Sequence, residues 1–274
     1  MRRGWPACAP STGAPRRSST PRGDRSSPCP TCPSSPCGSR AGGLEGWLFR
    51  PSGASAGFGR GLVVYLHGIG DNRGSVLGAA RRLTAEGFAV LAFDSRAHGR
   101  SSGDTCTYGY YEKRDVSAAL DAVGAREAIL LGHSLGAATA LQAAAVDRRV
   151  IAVIAASSFS DMPSIVRERA RWFHLPSAFV EASIARAGEL GRFPPDEASP
   201  VALAPSVTAP VLLLHGAADG KTVPAHSLRI AGALKGPHRL VFLPGVGHDE
   251  ILGREEAWRE IEAFLERHRP RAAP

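Results

Sequence analysis

Ala128-Ile129-Leu130-Leu131-Gly132-His133-Ser134-Leu135-Gly136-Ala137-Ala138-Thr139-Ala140 decides how this 274-residue chain is read. An apolar run rises to Gly132-x-Ser134-x-Gly136 and passes directly into an Ala-rich helix former. That order is strand, tight turn, helix. A serine on such a turn is lifted off the end of a sheet with its Oγ exposed. Gly132 and Gly136 flank it where strand and helix nearly touch and Cβ atoms would collide. The helix that follows has small residues on every face, so it can lie close on a sheet. Its N-terminus points free N–H groups at any charge that develops beside Ser134. The pentapeptide alone also fits a Gly-rich turn with an incidental serine. The rest of the chain has to supply a base, an acid and an oxyanion hole.

Outward from the elbow, strands and helices alternate. Residues 62–66 and 88–93 are short continuous apolar runs, the mark of strands buried on both faces. A helix is expected over 75–86, stopped by Gly87, and another from the Tyr108–Tyr111 stretch to about Val123. Downstream, 150–156, 211–214 and 238–243 read as strands, 225–234 and 255–267 as helices. Residues 44–50 read as an edge strand. Each crossover is long enough to return parallel. The expected architecture is therefore α/β, a mostly parallel sheet with helices on both faces. Residues 157–209 break the rhythm with prolines and two short helical stretches, and are expected to form a lid insertion. Within them, Trp172, Phe173, Leu175, Phe179, Val180 and Ile184 are either an apolar wall over Ser134 or the insertion's own packing. The alternating arginines 167, 169 and 171 spread round a helix, as does Arg186 further on, so they are expected to solvate an outer face.

Charge and cysteines separate off the N-terminus. The net charge is +8, but residues 1–40 hold seven arginines and a single acid, so +6 sits there and only +2 in residues 41–274. Residues 1–40, rich in Pro, Ser, Arg and Gly, are expected to be a disordered tail, and 41–274 the catalytic domain. The folded part shows no interleaved basic and aromatic patch, which argues against nucleic-acid binding. No apolar run is long enough to span a bilayer. Four of the five cysteines lie in the tail, leaving Cys106. A domain of this size with one cysteine is not stapled by disulfides, which suits a reducing, cytoplasmic setting. Cys29, Cys32 and Cys37 lack a fourth ligand at zinc spacing, so no metal is expected.

In open parallel sheets, chemistry gathers beyond the carboxyl ends of the strands. A serine needs a neighbouring base, and the base an acid that fixes its tautomer. Of the nine histidines, His248 is the candidate base. It follows the last strand in a Gly245-Val246-Gly247 loop that can swing it over the sheet. His133 is set aside because a sharp turn aims neighbouring side chains apart, and His67 and His98 because they end their own strands. Asp219, in the loop after strand 211–214, is the favoured acid. Asp161 is the alternative, and Asp94 and Asp115 are read as caps.

His67-Gly68, Asp94-x-Arg96-x-His98-Gly99-x-Ser101, Gly132-x-Ser134-x-Gly136, His215-Gly216-x-x-Asp219 and Gly247-His248 occur in that order. Over residues 44–268 the chain resembles the α/β-hydrolase superfamily. The resemblance implies a Ser134–His248–Asp219 triad and an oxyanion hole from the backbone N–H groups of Ile69 and Leu135. It departs from the family's spacing by one residue, because Gly220-Lys221-Thr222 separates Asp219 from Val223-Pro224. It implies hydrolysis of a carboxylic ester of small or medium acyl chain, without metal or organic cofactor. A serine at the elbow speaks against dehalogenase and epoxide-hydrolase chemistry, which uses an aspartate there. A serine peptidase or an acyl thioesterase would use the same residues, and a non-enzymatic ligand-binding protein could keep the fold. The expected partner is a small-molecule ester or thioester.

Overall fold

The computed structural model describes residues 37–41, 43–53 and 57–270. Eight strands form one sheet in the order β1-β2-β4-β3-β5-β6-β7-β8. They are β1 (Cys37–Ala41), β2 (Leu44–Phe49), β3 (Leu62–Leu66), β4 (Ala89–Phe93), β5 (Ala128–His133), β6 (Val150–Ala156), β7 (Val211–Gly216) and β8 (His238–Leu243). β1 and β2 pair antiparallel with their neighbours, and every pairing from β4 to β8 is parallel. The apolar runs that read as doubly buried strands are so: β3 and β4 are buried at every position.

Alternate residues of each strand feed two cores. On one face Leu62, Val64 and Leu66 pack with α2 (Glu112–Val123), α3 (Leu135–Val146) and α7 (Ala225–Ala233). On the other, Val63 and Tyr65 pack with α1 (Leu77–Ala85) and α8 (Glu255–His268). α8 puts Trp258, Ile261, Phe264 and Leu265 on one stripe, the spacing of an amphipathic helix lying on a sheet. α3 is buried all round, as its small side chains allow. Between β6 and β7 lie α4 (Met162–Trp172), α5 (Ser177–Gly191) and the short α6 (Pro200–Leu203). Among the described residues no helix is long and apolar enough to cross a membrane.

Two expectations need correction. The edge strand is β1, with β2 second in the sheet. β1 takes in residues 37–40, assigned above to the tail. An open β2 would leave a row of backbone donors and acceptors unpaired, and β1 supplies their partners through main-chain pairing that side-chain composition does not announce. The zinc reading of Cys29 and Cys32, like the rest of residues 1–36, lies outside the described residues. The aromatic stretch of the α4–α5 region divides. Val180 and Ile184 are buried in a small core with Met162 and Phe193. Trp172, Phe173, Leu175 and Phe179 are exposed. Ile165 of α4 packs instead against Leu135 and Ala138 of α3 and against Phe159.

Candidate active site

The elbow comes first, because its geometry is imposed by packing. Ser134 adopts φ 54° and ψ −114°, a conformation a side chain resists. It persists because its surroundings leave no alternative. The Ser134 N–H donates to the Ala156 carbonyl at 2.9 Å, and Ala138 N–H donates to the Ser134 carbonyl at 3.0 Å. A Cβ on Gly132 would lie 2.3 Å from the Gly136 carbonyl, and one on Gly136 would lie 2.0 Å from the Leu66 carbonyl oxygen. The glycines are therefore required by the contact of β5 with α3 and of α3 with β3.

Two loops then deliver partners to Ser134. β7 ends in Gly216, and the chain turns so that Asp219 comes to lie buried beside His248. His248 Nδ1–H donates to Asp219 Oδ2 at 2.7 Å, and the Ser134 hydroxyl lies 3.0 Å from His248 Nε2. The additional residue in the Asp219 loop is absorbed locally. Lys221 N–H and Thr222 N–H both donate to Asp219 Oδ1, at 2.9 and 2.8 Å. Burial by itself would raise the Asp219 pKa. Hydrogen bonding from His215, His248 and the Thr222 backbone outweighs it and holds the carboxyl well below the usual carboxylate range. An ionised Asp219 accepts only, so His248 carries its proton on Nδ1 and turns a bare Nε2 to Ser134.

The remaining histidines and acids have other work. His133 is the residue that sequence reading set aside and the structure brings in. Its Nε2–H donates to the His248 carbonyl at 2.9 Å, and the two rings lie 4.9 Å apart. Burial lowers its pKa, so it stays a neutral donor. It holds the backbone of the His248 loop. Adjacency to Ser134 was the available signal, and the divergence of side chains at the turn is what aims it there. His67 is fully buried, donates from Nδ1 to the Gly68 carbonyl at 2.8 Å and accepts from Ser95 N–H at 2.9 Å. Asp94 accepts from the Arg73 and Arg100 backbones, both at 2.7 Å, and pairs with the Arg73 guanidinium. Asp115 does not cap a helix; it holds Arg96 through two hydrogen bonds of 2.7 and 2.6 Å. Asp161 does cap one, accepting from Ser164 N–H at 2.7 Å at the start of α4 and from Ser160 Oγ at 2.7 Å. Burial and the nearby Glu112 push the Cys106 thiol up to about 12, which removes it as a rival nucleophile.

Ser134 opens on a small cleft with about 70 Å³ of space for water-sized spheres. Ile69, Tyr108, Leu135, Phe159, Ile165 and Val166 make it mainly apolar, with Arg169 and Thr222 at its wall. Ile69 and Leu135, the two expected oxyanion-hole residues, thus both border the space above Ser134. Leu135 opens α3, whose first N–H groups have no partner within the helix. A metal-ligand reading is available at one place only among the described residues, where His133, His248 and Asp249 bring ligand atoms within 4.8 Å of one another. All three are engaged: His133 with the His248 carbonyl, His248 with Asp219 and Ser134, and Asp249 with Lys221.

Comparison with known proteins agrees with this frame. The family model for the alpha/beta hydrolase fold matches residues 61–191, which include β3, the elbow and α4. The uncharacterized protein Rv2307c of Mycobacterium tuberculosis is 30% identical over 232 residues, spanning 81% of this chain and 74% of that protein. Among solved structures, the esterase Pf2001 of Pyrococcus furiosus superposes with a TM-score of 0.67 at 21% identity, covering 86% of this chain and 92% of that one. The monoacylglycerol lipase of Paleococcus ferrophilus does so with a TM-score of 0.62 at 25% identity, covering 81% and 97%. Sequence relatives, solved folds and the geometry of the elbow converge, and the chain belongs to the α/β-hydrolase family.

Proposed function

We propose that the protein is a serine hydrolase that cleaves carboxylic esters of short or medium acyl chain, with Ser134 as nucleophile, His248 as base and Asp219 as acid. The observation that carries this is the hydrogen-bonded chain from Asp219 through His248 to Ser134, at 2.7 and 3.0 Å, ending at an apolar cleft. His248 Nε2 takes the Ser134 proton as Oγ attacks the ester carbonyl. The N–H groups of Ile69 and Leu135 hold the developing oxyanion, an interaction of about a hundredfold or more in rate per donor. His248 then gives its proton to the leaving alkoxide, and the alcohol departs. Water attacks the acyl-enzyme by the same route, releases the acid and restores Ser134. Asp219 stays ionised throughout and stabilises the imidazolium. In this reading α4 acts as a lid whose Ile165 and Val166 cover the acyl chain. The small cleft favours short chains over extended ones.

A series of 4-nitrophenyl esters from acetate to decanoate, run beside aminoacyl 4-nitroanilides, tests the assignment. Turnover of esters that peaks at short or medium chains is the expected result. Turnover of the anilides without the esters would make the protein a peptidase and overturn the proposal.

A further inference from the structure

The cleft contains a cation that has no hydrogen-bond or ion-pair partner among the described residues. Of the four arginines of the α4–α5 region, Arg167 is paired with Glu181 at 2.7 and 2.9 Å and Arg186 with Glu189 at 2.8 Å. Arg171 stands exposed on the outer side. Arg169 alone lines the cleft. It is half-buried, and among the described residues its guanidinium has no hydrogen bond or ion pair. The acids that could reach it from α4 are committed elsewhere. Glu168 pairs with His226 at 2.7 Å and with Arg229 at 3.3 Å, and Asp161 caps its helix. Among the described residues no acid lines the cleft. The expectation that these arginines all solvate an outer face therefore fails at Arg169. Helical spacing spreads 167, 169 and 171 around α4, and the one that lands on the sheet side faces the space over Ser134.

Tyr108 shares that wall. Its φ of 55° is unfavourable for a side-chain-bearing residue, and the neighbouring loop is built to hold it. Buried Glu112 accepts from Thr107 N–H at 2.7 Å, Thr107 Oγ1 at 2.6 Å and Gly109 N–H at 2.9 Å. Gln142 donates to the Tyr108 carbonyl at 2.9 Å. The ring packs edge-to-face on Phe159 at 5.8 Å. Burial pushes the phenol's pKa up, with the Arg169 charge pulling only partly the other way, so the hydroxyl remains a donor. It has no hydrogen-bond partner among the described residues. A strained residue that three neighbours over-determine, beside an unpaired guanidinium, is what a preorganised binding wall requires.

We propose that Arg169 and Tyr108 form an anion-recognising end of the cleft, and that the preferred substrates are esters carrying a negatively charged group, such as the half-esters of dicarboxylic acids. This rests on the ester-hydrolase reading above. The discrimination works in both directions. A neutral chain laid over Arg169 strips water from the guanidinium and returns nothing, whereas a carboxylate replaces that water with charge-assisted hydrogen bonds.

The test compares kcat/KM for 4-nitrophenyl hemiadipate and 4-nitrophenyl heptanoate, similar in length and different in terminal charge, after subtraction of spontaneous hydrolysis. The wild type is expected to favour the hemiadipate, and Arg169→Met to lower the hemiadipate-to-heptanoate ratio by about tenfold or more, the scale of a lost hydrogen bond to a charged group. Tyr108→Phe is expected to lower the ratio by about threefold. Raising salt should lower the wild-type ratio by screening, a readout that needs no variant. A ratio that is the same in wild type and Arg169→Met, in protein that still labels at Ser134 with a fluorophosphonate, overturns the anion site and leaves the hydrolase reading standing. Absence of turnover with both esters also overturns it, and absence of labelling then shows that the hydrolase reading falls with it.

Discussion

Asp219 decides the tautomer of His248, and the difference between two aspartates tests that assignment. Asp219 Oδ2 takes the Nδ1 proton, while Oδ1 is occupied by two backbone N–H groups. Asp219→Asn offers Nδ1 an amide in place of an anion and no longer stabilises the imidazolium. We expect kcat on a 4-nitrophenyl ester to fall by about 10³–10⁴, the scale for loss of such an acid. Asp161→Asn keeps a side-chain oxygen for Ser164 N–H, and Asn caps helices about as well as Asp. Its kcat is expected to stay within about threefold, since Asp161 is bonded to Ser160 and Ser164 and to none of Ser134, His248 and Asp219 among the described residues. The opposite pattern would make Asp161 the acid. That Ser134, His248 and Asp219 would lie together was legible because each follows the carboxyl end of a strand. His133 and Arg169 were not. The direction of each depends on a surface laid down by a distant segment, the His248 loop for one and the cleft wall for the other.

At the scale of the element, the elbow depends on space more than on propensity. A Cβ on Gly136 would meet the Leu66 main chain, which has no side chain to swing away. Gly136→Ala is expected to cost about 3 kcal/mol, the upper range for forcing an extra carbon into a packed site. For a domain this large that lowers Tm by roughly 6–12 °C. Gly78 provides the contrast. It lies on an exposed turn of α1 with nothing within 4 Å of an added Cβ. Gly78→Ala is expected to stabilise by up to about 1 kcal/mol through helix propensity. Thermal melts of both variants check the pair, and equal Tm changes would contradict the packing account. The same contrast explains what sequence could reveal about the elements. β3 to β7 announce themselves because apolar runs have to be buried, whereas β8 at the sheet's other edge buries only Leu243 fully. β1 is fixed by main-chain pairing with β2, and Cys37–Ala41 carries no apolar pattern to mark it. The α4–α5 region was visible as a break in rhythm. Which of its aromatic residues turn inward depends on the small core around Met162 and Phe193, a long-range packing choice.

For the whole molecule, buried histidines set the response to acid. Burial is the largest influence on both His67 and His133 and lowers their pKa values in the folded state. The unfolded chain returns them to about 6.5. Below that pH the unfolded state binds protons that the folded state refuses, so stability is full above about pH 6.5 and falls as pH drops. The depressed Asp219 carboxyl acts lower on the scale. Its contribution is present above its unfolded value of about 4 and is lost as pH falls through the lower folded value. A Tm at pH 5.5 a few degrees below that at pH 7.5 is therefore expected from the histidines, and an unchanged or higher Tm would contradict their buried, neutral state.

The central claim is that this architecture turns one serine into a nucleophile. Reaction with a fluorophosphonate probe at neutral pH, followed by proteolysis and mass mapping, tests it most directly. The account predicts stoichiometric phosphonylation of Ser134, abolished in Ser134→Ala and strongly slowed in His248→Ala. A folded protein that leaves Ser134 unlabelled, or that carries the label on another residue, would contradict it.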